Sequence, residues 1–268
     1  MRIVNNRQQR QDGAVTNMRL PSIEQTGIGV IVPCDMVLDR ELWRWTPADV
    51  SLHVTRLPPT PTTVTVETVT LMGDHDLVAA SVAQLAAVSP AATLYACTSG
   101  SFMRGLHGER ALVAAMQAAG AAAPVTTSGA LLAALGQVGA QTVSIATPYD
   151  EAISLRLREF LEEAGAGVAG THWLGLQSNI GTVPYDVTAD LIRKADHPDA
   201  EAIIVSCTNL ATYDLIEPLE AELGKPVISA NQGSMWAALG LVGRAAAGPG
   251  QRLLDHDRVA SPLESRRR

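Results

Sequence analysis

From about residue 26 onward, short apolar, β-branched runs alternate with longer Ala- and Leu-rich segments of helical period. Eight runs read as strands: IGVIV at 28–32, SLHVTRL at 51–57, TLYAC at 93–97, PVTTS at 124–128, TVSIAT at 142–147, VAGTHWL at 168–174, AIIVSC at 202–207 and PVISA at 226–230. The segments between them carry helix signals. EAISLRLREFLEEAG at 151–165, for example, opens on acidic residues and closes on glycine. Continuous apolar strands separated by helices imply parallel sheets covered on both faces. The polar, aperiodic N-terminal stretch and the closing LESRRR read as tails.

The pattern repeats. PVTTSGALLAALGQVG at 124–139 returns as PVISANQGSMWAALGLVG at 226–243, with two extra residues in the second copy. IVPCD at 31–35 has a counterpart in ATPYD at 146–150, and YACTSGS is echoed by VSCTNL. The two Cys-Thr pairs are 207 − 97 = 110 residues apart and the two Pro-Val starts 226 − 124 = 102. A nearly constant offset predicts a duplicated α/β unit of ordinary domain size. The boundaries that follow are a tail at 1–25, a first repeat at 26–139, a second at 140–243 and a C-terminal segment at 244–268. The expected fold is α/β, with two Rossmann-like parallel-sheet lobes related by a pseudo-two-fold and an active site in the cleft between them. Ligands of open parallel sheets sit beyond the carboxyl ends of the strands. Cys97 and Cys207 both stand at such ends.

Composition narrows the function. Among 268 residues, Lys and Arg number 20 against 27 Asp and Glu, a net charge of −7. That balance argues against nucleic acid as a partner and leaves a small anionic ligand open. No apolar run reaches the ~18 residues of a membrane span, and MRIVNNRQQRQDG lacks the apolar core of a signal peptide. A cytoplasmic protein with no membrane partner is expected, assembled as a homo-oligomer, a dimer or tetramer. Three cysteines, Cys34, Cys97 and Cys207, are an odd set with no CxxC pair, so neither a disulfide scaffold nor a zinc site is expected. GDHD at 73–76 reads as a polar turn before a helix, and His107, His172 and His197 each stand alone. No GxGxxG follows the first strand, which argues against a nucleotide-dependent oxidoreductase. No cofactor and no metal are expected.

Paired thiols suit chemistry next to a carboxylate. Removing a proton there, or adding a nucleophile to a conjugated acid, piles charge onto carboxylate oxygens and needs a base or nucleophile together with donors. The thiols supply the first. Backbone N–H groups after each cysteine and the hydroxyls of Thr98, Ser99 and Thr208 supply the second. At Cys97 the donors of TSGS and a following helix N-terminus are expected to outweigh desolvation, leaving Cys207 the more protonated partner. Cys34 reads as a small buried hydrophobe and Trp43 and Trp45 as packing residues. A non-catalytic small-carboxylate binding protein of two lobes is the alternative outside enzymology.

On IVP, YACTSGS, ATPYD, LGLQSNIG and VSCTNL, in that order over roughly residues 27 to 243, the chain resembles the aspartate/glutamate racemase superfamily. Within it the chain looks most like the branch of maleate cis-trans isomerase and arylmalonate decarboxylase, and DMVLDRELWRW at 35–45 is similar to isomerase-like proteins assigned to ectoine utilisation. The resemblance implies a cofactor-independent isomerase or racemase of a small carboxylate. It makes Cys97 and Cys207 the catalytic pair, Thr98 and Ser99 the carboxylate-binding pair, and Tyr149 and Asn179 further donors to substrate. Arylmalonate decarboxylase keeps only the second cysteine, so the presence of both favours the isomerase or racemase. Where maleate isomerases carry VPSSNT, this chain reads VPCDMV. Asp35 there has two readings, a contact to a nitrogen-bearing substrate or an N-cap of the helix that follows.

Overall fold

The computed structural model describes residues 25–61 and 63–255. The two tails lie largely outside the described residues. The first lobe runs β1 (Thr26–Val32), α1 (Asp39–Trp45), β2 (Val50–Arg56), α2 (Val66–Met72), α3 (His75–Leu85), β3 (Ala92–Tyr95), α4 (Thr98–Phe102), α5 (Gly105–Ala118), β4 (Pro124–Thr126) and α6 (Thr127–Val138). The second runs β5 (Thr142–Thr147), α7 (Glu151–Glu163), β6 (Gly167–Trp173), α8 (Tyr185–Ala195), β7 (Ala202–Val205), α9 (Tyr213–Leu223), β8 (Val227–Ser229) and α10 (Ala230–Leu241), with a short α11 (Arg252–Asp255) behind it.

Each lobe is one four-stranded sheet, all parallel, ordered β2-β1-β3-β4 and β6-β5-β7-β8. Identical strand order in both halves is what a duplication produces. All eight expected strands are present, within two residues at either end. β3 and β7 are buried at every position, which explains why they read as unbroken apolar runs.

The repeated segments near the ends of the lobes are α6 and α10, and they pack against each other. Each has 12 residues and a hydroxyl N-cap: Thr126 accepts from Gly129 N at 3.0 Å and Ser229 from Gln232 N at 3.2 Å. The offset is 226 − 124 = 102 residues at the Pro-Val starts, 229 − 126 = 103 at the caps and 237 − 133 = 104 at the shared AALG, so one of the two extra residues falls before the cap and the other between the cap and AALG. Between the helices, Ser234 Oγ donates to Thr127 Oγ1 at 2.9 Å, wholly buried.

Helix α1 belongs to the first lobe yet closes the second. Its Glu41, 6 % exposed, accepts from the backbone N–H of Thr212 at 2.6 Å and of Tyr213 at 2.8 Å, and from the Asn231 amide. Thr212 offers α9 no side-chain cap of its own, so Glu41 caps that helix from 171 residues away. Arg44 adds a forked ion pair to Asp214 at 2.5 and 2.7 Å and lies over the Tyr213 ring, and Trp45 Nε1 donates to Gln251 at 2.9 Å. The Arg44 pair is half-exposed and contributes little. Glu41 is different: burial raises its pKa, and its three donors oppose that rise. Glu41→Ala leaves three donors unpaired and is expected to lower unfolding free energy by about 3 kcal/mol or more, measured by urea denaturation. Glu41→Gln, which keeps one acceptor oxygen, should lose distinctly less.

Candidate active site

The two thiols occupy the same place in the two sheets. β3 ends at Tyr95 and β7 at Val205, and a cysteine follows two residues later in each case. Cys97 is 2 % and Cys207 8 % exposed. Together they line one cavity with Asp35, Thr98, Ser99, Tyr149, Thr208 and Asn209, roofed by apolar Val64, Val69, Met72 and Ile180. The space is about 40 Å³. It fits only a few heavy atoms unless its walls yield, and it leaves the sulfur atoms dry.

The backbone presents the two sulfurs differently. Cys97 is extended at φ −140° and is the N-cap residue of α4. Cys207 has φ 98°, left-handed backbone that costs a non-glycine residue about 1–3 kcal/mol. No helix follows it until Tyr213. At Cys97 the Gly100 N–H and the Tyr95 and Ser99 hydroxyls reach the sulfur. Residue 100 has to be glycine: a Cβ there would strike the Tyr95 hydroxyl and lie 3.1 Å from the Cys97 sulfur. At Cys207 the donors are the Tyr149 hydroxyl and the Asn209 N–H, the latter at 3.4 Å.

Burial decides the protonation of both thiols. It pushes Cys97 up, against the three hydrogen bonds, and pushes Cys207 up to about 12. The negative charge of Asp35 pushes both the same way. The expectation that donors would win at Cys97 is therefore corrected: one short helix and three hydrogen bonds do not offset complete desolvation. Tyr95 also donates to the Met72 carbonyl at 2.6 Å, and its single proton can serve only one acceptor at a time. While Tyr95 holds that bond, the thiol is the donor in the pair, which favours its neutral form. Burial likewise raises the pKa of Tyr149 well above the usual phenol range, so its hydroxyl remains a donor.

Of the residues singled out in the sequence, Cys97, Cys207, Asp35, Thr98, Ser99, Tyr149 and Thr208 converge on the cavity. The Thr98 hydroxyl is buried there with no hydrogen-bond partner. Asn179 does not join them. It is exposed, left-handed at φ 55°, and its amide reaches Ser178 while the next residue, Ile180, faces the cavity. Asp35 is not a helix cap either, because α1 starts after Leu38 and has no side-chain cap. The ATPYD repeat is split in its roles. In the second lobe Tyr149 enters the cavity and Asp150 caps α7, accepting from Ile153 N at 3.0 Å. In the first, Asp35 enters, and Cys34 lies outside against Thr60. Sequence reasoning missed Tyr95 and Asn209. The signal for Asn209 was the 110-residue offset itself, which sets it opposite Ser99. Among the described residues no group of His, Cys, Asp or Glu gathers as metal ligands, and no helix is long and apolar enough to cross a membrane.

Two parallel-sheet lobes that close a buried thiol from each onto one cavity define the racemase-like class of α/β proteins. Residues 58–254 match the family model of arylmalonate decarboxylase. The chain is 36 % identical over 164 residues to arylmalonate decarboxylase of Bordetella bronchiseptica, covering 59 % of this chain and 68 % of that one. It is 28 % identical over 244 residues to maleate isomerase of Nocardia farcinica, covering 86 % and 96 %. A solved cysteine-to-serine mutant of the Nocardia farcinica maleate cis-trans isomerase, with a covalently bound succinylcysteine intermediate, superposes with a TM-score of 0.76 at 26 % identity, over 85 % of this chain and 98 % of that one. The chain belongs to the arylmalonate decarboxylase family.

A thiol whose pKa is raised has less thiolate at neutral pH than a free cysteine. Iodoacetamide should therefore label both cysteines more slowly than free cysteine at pH 7, with rates climbing steeply above pH 9 and Cys97 ahead of Cys207. Peptide mass mapping over time measures this.

Proposed function

We propose that this protein is a cofactor-independent cis-trans isomerase of a small unsaturated carboxylate, with Cys97 as nucleophile and Cys207 as proton donor. The observation that carries the reading is the pair of buried thiols from the two lobes on one cavity, beside the unpartnered Thr98 hydroxyl. Maleate isomerase of Nocardia farcinica, related over most of both chains, and the covalent succinylcysteine of its mutant support a thiol adduct as the intermediate.

The chemistry follows from the placement. The Cys97 thiolate adds to one alkene carbon, forming a C–S bond. The π pair moves to the neighbouring carbon and is delocalised onto its carboxylate. The former double bond is now single and rotates. The pair then re-forms the double bond and the thiolate leaves, so no atom is gained or lost. Cys207, held protonated to about 12, is suited to give the carbanion a proton and take it back. The Thr98, Ser99 and Thr208 hydroxyls donate to carboxylate oxygens as charge develops, and Tyr149 holds the Cys207 sulfur. Cys97 is assigned the attack because Cys207 is the thiol pushed up to about 12, while Cys97 stands at the N-terminus of α4. Racemisation would use the same two thiols as acid and base on opposite faces of an α-carbon. The family match keeps decarboxylation as a second reading, in which loss of CO₂ leaves an anion for one thiol to protonate.

Cys97→Ala and Cys207→Ala should each lower turnover by about 10³-fold or more while remaining folded. In Cys207→Ser, incubation with an unsaturated acid should add the mass of one substrate to the Cys97 peptide. Proton NMR in D₂O separates the readings. Alkene isomer interconversion supports the isomerase, α-deuteration of a saturated acid without loss of CO₂ the racemase, and conversion of a malonate to its α-deuterated monoacid the decarboxylase.

A further inference from the structure

Charge is distributed unusually around the two thiols. Among the described residues, the cavity lining includes one carboxylate, Asp35, and no Lys, Arg or His. One cation close to this loop, Arg56, is already engaged. Arg56 donates to the Met36 carbonyl at 2.7 Å, to the Pro33 carbonyl at 3.4 Å and to Asp39 at 2.7 Å. The Asp35 backbone is pinned from the other lobe. Asn209 Nδ2 donates to the Asp35 carbonyl at 3.2 Å, and Asn209 Oδ1 accepts from Val37 N at 3.0 Å. Asp35 is therefore held at the cavity wall by contacts that do not involve its carboxylate, which acts electrostatically on both sulfurs. A dicarboxylate would bring two more negative charges into a dry space already holding one, with only neutral donors to receive them.

We infer that Asp35 selects the substrate: the site takes a monocarboxylate, its carboxylate end for the hydroxyls of Thr98 and Ser99, the other end an uncharged hydrogen-bond donor or cation for Asp35. This rests on the isomerase reading above, which requires the double bond to be conjugated. A primary carboxamide meets both demands, since it withdraws electrons from the alkene and presents N–H groups. An α-ammonium group meets only the second. The class is thus the half-amide of a cis-unsaturated diacid. Such a substrate also offsets the Asp35 charge, which adds to the burial that keeps both thiols protonated.

The test compares maleate with its half-amide, maleamate, by proton NMR in wild type and Asp35→Asn. The wild type should favour maleamate in kcat/KM, and Asp35→Asn should shift the maleamate-to-maleate ratio toward maleate by about 10- to 100-fold. A wild type that prefers maleate, or a ratio unchanged in Asp35→Asn, overturns the inference and leaves the isomerase reading standing. A binding arm does not depend on turnover. Calorimetry with the saturated analogues should show wild type binding succinamate more tightly than succinate, with Asp35→Asn shifting the balance by a similar factor. That result without isomerisation of either alkene would uphold the selection by Asp35 and remove the isomerase. Failure of succinamate to bind tighter than succinate overturns the selection.

Discussion

The contact of α6 with α10 sets the geometry on which everything else depends. A parallel sheet places its reactive residues beyond the carboxyl ends of its strands, so each lobe alone offers half a site. The two equivalent helices, packed together and joined by the buried Ser234–Thr127 hydrogen bond, bring both carboxyl ends to one cavity. Cys97 and Cys207, each two residues past the end of its strand, then share one cavity.

The second governing fact is dryness. Exclusion of water raises both thiol pKa values and makes each hydroxyl and N–H in the cavity worth more to a bound anion. The two halves resolve this tension differently. The first uses a glycine-tight turn whose N–H and hydroxyls crowd the Cys97 sulfur. The second holds Cys207 on left-handed backbone beside Tyr149, whose pKa burial raises. Duplication supplied two thiols in like positions, and the divergence of the surroundings made them unlike.

Much of this could be read from the chain. The strands were visible because buried parallel strands are continuous apolar runs. The duplication was visible because PVTTSG and PVISAN start the same helix against the same interface. Cys97, Cys207, Thr98, Ser99 and Thr208 were placed by their position after strand ends, and Tyr149 by the family resemblance. What escaped depends on three-dimensional context. Asn179 looked like a donor, but left-handed backbone at that residue turns Ile180 inward instead. The direction of the Cys97 pKa depends on how completely the roof of Val64, Val69 and Met72 excludes water, which local sequence does not encode. The cap from Glu41 to α9 spans 171 residues and follows no local motif.

That cap has an evolutionary consequence. A single ancestral unit, paired with a copy of itself, would have needed every contact to work twice and symmetrically. Glu41 works across the halves: α9 has no side-chain cap of its own and takes its acceptor from the first lobe. Once a helix of one half depends on a carboxylate of the other, the halves can no longer be exchanged, separated or inherited singly. The fusion has become irreversible, and each lobe is free to specialise because neither can leave.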